Sequence, residues 1–188
     1  MNIRRIVIVA LAGGVFLAYS AWRQEVVRPS AASADLGTAP DFSFVDQHGA
    51  KKRLADFSGK PWVASFIFAR CHDECPMIVS RMKELKPKLP AALRMASISV
   101  DPGDKPADLK AFAKAQKADW SFLVGKPAEV ERFARGLKLG IGGKGPEEGS
   151  LIHSNRLVLV DPAGKIRGYY DPEEPSDAKR LVVDASKL

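Results

Sequence analysis

The chain has 188 residues, 46% of them apolar and 27% charged, and a net charge of +7. This composition suits one packed domain with an appendage and excludes a disordered chain. Three of the basic residues, Arg4, Arg5 and Arg23, flank the first apolar stretch; the others are scattered among acids without interleaved aromatics, which argues against nucleic-acid binding.

The first predicted element is a membrane helix. Ile6 to Trp22 are 17 consecutive uncharged, mostly apolar residues, about 26 Å long as a helix. Arg4 and Arg5 ahead of it predict a cytoplasmic N-terminus, and Trp22 with Arg23 forms an outer interface anchor. Residues 1–23 are therefore expected to anchor the chain in the inner membrane as a single pass, with the rest on the periplasmic side. A cleaved signal peptide is the alternative, given small residues at Ala18, Ser20, Ala32 and Ala34. In either case a thiol pair beyond it can be oxidised. Residues 24–39, polar and rich in Ala and Ser, read as a linker, and the folded domain is expected over 40–188.

Within that domain "DFSFVD" alternates apolar and polar, "QHG" turns the chain at His48, and "KKRLADF" returns, the pattern of an N-terminal hairpin. The apolar run Pro61 to Ala69 predicts a central strand covered on both sides. Ile78, Met82 and Leu85 follow at helical spacing. Leu93 to Val100 predicts a second core strand, after which Asp104 is expected to cap a helix with Pro106 in its first turn. "WSFLVG" predicts a third strand, "PAEVERFARGLKL" an amphipathic helix, and "GIGGKGPEEGS" a loop. "LIHSNRLVLVD" predicts a fourth core strand, joined through "PAG" to an antiparallel partner, "KIRGYYD". "SDAKRLVVDASKL" closes the chain as a helix. Strands alternating with helices predict an α/β fold, with a central, mainly parallel sheet made mixed by hairpins and flanked by helices.

Both cysteines of the chain fall in one stretch, "ARCHDECPM". Three residues separate Cys71 from Cys75, a spacing that fits neither the two-residue redox pair nor a four-ligand zinc set. Pro76 suits the first turn of a helix and disfavours helical geometry in its predecessor. It is therefore expected to start the helix, with Cys75 at the cap and Cys71 on the loop leaving the preceding strand. Both sulfurs would then lie at the carboxyl edge of the sheet, where ligand sites form and a helix terminus lowers thiol pKa. Two thiolates converging there select a soft ion or close a disulfide. They are too few for an iron–sulfur cluster or a closed structural zinc site. They satisfy Cu(I), and an added imidazole would also hold Cu(II). A structural disulfide remains open. Of the three histidines, His48 reads as a solvated turn residue and His72 as an exposed loop residue awkwardly placed between the thiols. His153 follows the glycine-rich loop and enters the strand that, in a thioredoxin-like sheet, neighbours the one bearing the cysteines. It is the expected third ligand.

Together these residues resemble the SCO/SenC family, membrane-anchored thioredoxin-fold proteins that deliver copper during cytochrome c oxidase assembly. The resemblance runs from about Ala39 to Tyr170. It includes Cys71 to Pro76 after an aromatic strand, Ser99-Val100-Asp101-Pro102 after the second core strand, "WSFLVG", and His153-Ser154 before an apolar strand ending in "DPAG". It implies a thioredoxin-like fold, copper held as Cu(I) or Cu(II) by Cys71, Cys75 and His153, and delivery to an oxidase subunit bearing a CuA-type site. Exchange with other copper chaperones or thiol reductants is implied as well, with no bond-forming catalysis. Two positions depart from the family pattern: His72 stands where proline is common, and Ile152 where an acid is common. Asp73 agrees with a frequent acid, and with His72 it is a candidate modulator of the site.

Two other functions compete. A thiol–disulfide oxidoreductase keeping oxidase-subunit cysteines reduced would use Cys71 and Cys75 as a redox disulfide. Such enzymes normally space their cysteines by two and place a cis-proline where this chain has His153-Ser154. A peroxidase would need an activating threonine and arginine; Arg70 is near, but the threonine is missing. "GIGGKG" lacks the full phosphate-loop spacing and a following apolar helix.

Overall fold

The computed structural model describes residues 35–141 and 154–188. The expected membrane segment, most of the linker, most of the glycine-rich loop, Ile152 and His153 lie outside the described residues. Among the described residues no helix is long and apolar enough to cross a membrane.

Among the described residues seven strands form one sheet: β1 (Ser43–Asp46), β2 (Lys51–Arg53), β3 (Trp62–Ile67), β4 (Arg94–Ser99), β5 (Ser121–Val124), β6 (Leu157–Val160) and β7 (Ile166–Tyr170). Their order is β2-β1-β5-β4-β3-β6-β7. The α-helices among the described residues are α1 (Glu74–Leu85), α2 (Pro106–Gln116), α3 (Pro127–Gly136) and α4 (Pro175–Ala185). The α/β class, the mixed sheet and the N-terminal hairpin are as expected. The hairpin's return strand is shorter than "KKRLADF", because Leu54–Phe57 turns into a 3-10 helix that buries Phe57.

The expectation of a mainly parallel sheet is corrected. Only β3–β4 and β4–β5 are parallel; β1–β2, β1–β5, β3–β6 and β6–β7 are antiparallel. Helical crossovers give parallel neighbours only where the chain returns to the same end of the sheet. Here α1 and α2 do so, whereas β6 enters from the opposite end and turns straight back through Asp161–Gly164 into β7. The paired backbone also reaches into the stretch read as linker: Leu36 N–H donates to Ile166 O at 3.1 Å and Ala39 N–H to Gly164 O at 2.9 Å.

All six residues of β3 are buried, and the strand's two-residue period divides them between two cores. Val63 and Ile67 join Leu157, Leu159 and Phe122 against Ile78, Val79 and Met82 of α1, Leu109 of α2 and Leu181 of α4. Trp62, Ala64 and Phe66 join Ile98, Val158 and Val160 against Phe42, Phe44 and Phe133 of α3. The buried hydroxyls of Ser65 and Ser97, opposite each other on β3 and β4, hydrogen-bond at 2.9 Å. Trp120 Nε1 donates to Ser97 Oγ at 2.9 Å, so no polar group in this row is left unpaired. The sheet thus holds the end of β3 rigidly in the layer from which the cysteine loop departs.

Candidate metal centre

After Ile67 the chain leaves the sheet and turns at once, the Cys71 N–H donating to Phe68 O at 3.2 Å. Asp73 occupies the N-cap position of α1, and the helix begins at Glu74. The helix therefore starts two residues before Pro76, which takes its third position. The missing N–H costs nothing there, because the N–H groups of the first turn have no acceptor within the helix. Cys75 is consequently drawn inside the first turn and packed into the core at 0% exposure, while Cys71 remains half-buried on the loop. No disulfide joins them.

The two sulfurs converge. The Cys75 N–H, at the helix terminus, donates to Cys71 Sγ at 3.2 Å. The Phe68 N–H donates to Cys75 Sγ at 3.4 Å, and the two thiol side chains hydrogen-bond each other. Burial pushes the Cys75 thiol above its ordinary pKa, reinforced by the hydrogen bond to Cys71 and by the charge of Glu74. The expected lowering by the helix terminus is thus overturned for Cys75: desolvation disfavours its thiolate by more than the helix end favours it. The helix-terminal N–H is spent instead on the Cys71 sulfur.

The candidate modulators flank this pair. His72 and Asp73 are both exposed. Asp73 sits where a cap belongs, yet its side chain makes no cap hydrogen bond. His48 is exposed in the β1–β2 turn, far along the sheet order from β3. Among the described residues no three His, Cys, Asp or Glu side chains gather as a metal would require. The predicted neighbour relation does hold: β6 lies beside β3 with Ala64 opposite Val158. Because the pair is antiparallel, Ser154–Arg156, which lead into β6, pass the end of β3 that gives rise to the cysteine loop.

A family model described as SCO1/SenC matches residues 30–186. The chain belongs to the SCO1/SenC family. It is 35% identical to the SCO1 protein homolog of Bacillus subtilis over 76% of this chain and 78% of that one. It is 31% identical, over 69% of this chain and 67% of the other, to a protein of Stutzerimonas stutzeri whose name provisionally assigns it copper binding. The solved structure of BsSco superposes with a TM-score of 0.71 at 34% identity, covering 82% of this chain and 95% of BsSco. BsSco is described as a member of the Sco family of cytochrome c oxidase assembly proteins and as containing a disulfide switch.

In this SCO1/SenC protein the Ser99–Pro102 motif has a role that sequence reasoning missed. Arg70, next to Cys71, pairs with Asp101 at 2.6 Å. Contrary to expectation, Asp104 does not cap α2: Lys105 is the N-cap, and Asp104 Oδ2 accepts from Ala69 N at 2.8 Å and Ser99 Oγ at 2.6 Å. A capping-type residue before Pro106 carries the same local signal either way. What redirects it is an unpaired N–H on a loop thirty-odd residues earlier, which no local pattern reveals. The "DPAG" segment is structural: Asp161 accepts from Ala163 N and Lys165 N and pairs with Arg167, closing the β6–β7 turn.

Proposed function

We propose that this protein is a copper-binding assembly factor. It takes up Cu(I) on Cys71 and Cys75, uses His153 as third ligand, and delivers the ion to a CuA-type site on a cytochrome c oxidase subunit. The observation that carries this reading is the convergence of two reduced sulfurs on one point at the β3–α1 junction. Soft thiolates select Cu(I), and two of them suffice. The names of the relatives point the same way.

Copper is cargo here, acquired and released by ligand exchange with other copper chaperones and with the target. Uptake displaces the thiol proton that burial holds on Cys75, so binding is expected to release protons. His153 directly precedes the segment that passes the cysteine loop. Asn155 Oδ1 is buried in that segment without a hydrogen-bond partner, an acceptor of the kind a metal-bound imidazole needs for its second N–H. Residues 1–23 anchor the domain to the inner membrane, with the N-terminus cytoplasmic and the copper site periplasmic.

His153→Ala is expected to leave Cu(I) stoichiometry intact and to weaken Cu(II) by at least the roughly 10–100-fold that losing an outer-shell partner costs, with a changed Cu(II) absorption spectrum. An unchanged spectrum and affinity would remove His153 from the ligand set.

A second reading is favoured by the unequal exposure of the sulfurs, Cys71 half-buried and Cys75 buried. In it Cys71 attacks a disulfide of the oxidase subunit, Cys75 resolves the mixed disulfide, and two electrons and two protons pass to the target. Enzyme-like turnover of protein disulfides by the metal-free protein would select it.

A further inference from the structure

The peptide unit joining Phe68 to Ala69 is held at both ends. Its N–H donates to Asp104 Oδ2 at 2.8 Å, and its carbonyl accepts from the Cys71 N–H at 3.2 Å. The preceding N–H, that of Phe68, donates to Cys75 Sγ. A planar peptide carries its N–H and C=O on opposite sides and turns as a unit. An acceptor fixed on one side therefore sets where the other side points. Asp104 is itself fixed, because the same oxygen accepts from Ser99 Oγ at 2.6 Å, and Ser99 stands opposite Ile67 in the β3–β4 register. The Arg70–Asp101 pair braces the same loop from outside, but Arg70 is largely exposed, and such pairs contribute little. The bonds to Asp104 are part-buried and charge-assisted, the stronger kind.

We propose that Asp104 is a positioning residue for the thiol pair. Its carboxylate orients the Phe68–Ala69 peptide and, through it, holds the Cys71 backbone and the Cys75 sulfur in their converged arrangement. The inference rests on the reading of this pair as the working site and adds the group that builds it. Helix formation does not call for Asp104: α2 has Pro106 in its first turn, and Asp108 accepts from the Lys105 N–H at 2.9 Å at its start.

The test is alkylation of the reduced, metal-free full chain by iodoacetamide, with the two thiols resolved by peptide mass mapping. The wild type is expected to react at Cys71 well before Cys75. Asp104→Ala should raise the Cys75 rate relative to Cys71 by about tenfold, the factor that accompanies a lost interaction of about 1.4 kcal/mol. Asp104→Asn keeps an oxygen acceptor and should return the ratio to within about threefold of wild type. Asp108→Ala removes the cap contact of the same helix and should leave the ratio unchanged. Should Asp104→Ala fail to fold, Ser99→Ala withdraws the hydroxyl that donates to the carboxylate, and with it the acceptor of the Asp101 N–H, and should shift the ratio the same way by less. A wild-type ratio in the variant tested, or an equal shift in Asp108→Ala, would overturn the proposal. The assay contains no metal, so it stands or falls separately from copper binding.

Discussion

Cys75→Ser is expected to abolish Cu(I) retention against a competing chelator, and Cys71→Ser to do nearly the same. Removing a mere outer-shell partner costs about 10–100-fold in metal affinity, so removing one of two sulfur donors should exceed the upper end of that range. The two variants should differ in a second respect. Cys75 is fully buried among Ile78, Val79 and the other residues of its core, and its sulfur accepts from Phe68 N. Serine is smaller and more polar, so Cys75→Ser leaves an ill-matched group in an apolar layer and should lower the unfolding free energy by about 1–3 kcal/mol. Cys71 is half-buried on a loop, and Cys71→Ser should cost less than about 1 kcal/mol. Denaturant unfolding of the metal-free variants separates the structural cost from the lost ligand. Equal copper retention by either variant and the wild type would mean that the sulfur concerned is not a ligand.

Phe133→Ala should produce the opposite profile: a large loss of stability with the metal site unchanged. Phe133 is fully buried on α3. Its ring meets Phe42 edge-on at 4.9 Å and Phe44 at 5.5 Å, with Phe66 beyond at 6.3 Å. Truncation removes the aromatic contacts and leaves a cavity that the surrounding rings cannot close, at a cost of about 3–5 kcal/mol. This core lies on the sheet face opposite α1, so the thiol pair loses no contact. Chemical denaturation should show the full drop, while the folded fraction should bind Cu(I) with wild-type stoichiometry. A loss below about 1 kcal/mol would show that this aromatic cluster is not the anchor of the second core.

What could be read in advance follows from the range over which each signal acts. Trp62–Ile67 is plain in the sequence because a strand buried on both faces is apolar at nearly every position, Ser65 being the exception. The β6–β7 hairpin was equally plain, since Asp161 to Gly164 is a local turn flanked by two apolar strands. Helix α1 starts two residues ahead of Pro76, a start the sequence does not reveal because a proline is tolerated at any of the first helical positions, and its identity alone does not say which. The direction of the Cys75 shift is hidden from the sequence for a different reason. The helix terminus is a local feature, whereas the burial that outweighs it comes from α1 docking on β3 and is a property of the assembled core. Asp104 shows the same division: its type marked a cap, and its partner was set by the register of β4 against β3. The thiol pair and its place at the edge of the sheet were legible throughout, because spacing, Pro76 and the preceding strand all act within a dozen residues.

The central claim is that the two converged sulfurs form a copper site, and titration of the reduced, purified protein with Cu(I) tests it most directly. One copper per chain is predicted, with none taken up once Cys71 and Cys75 have been oxidised to a disulfide. Undiminished copper binding by the oxidised protein, or by a Cys71→Ser/Cys75→Ser double variant, would contradict it.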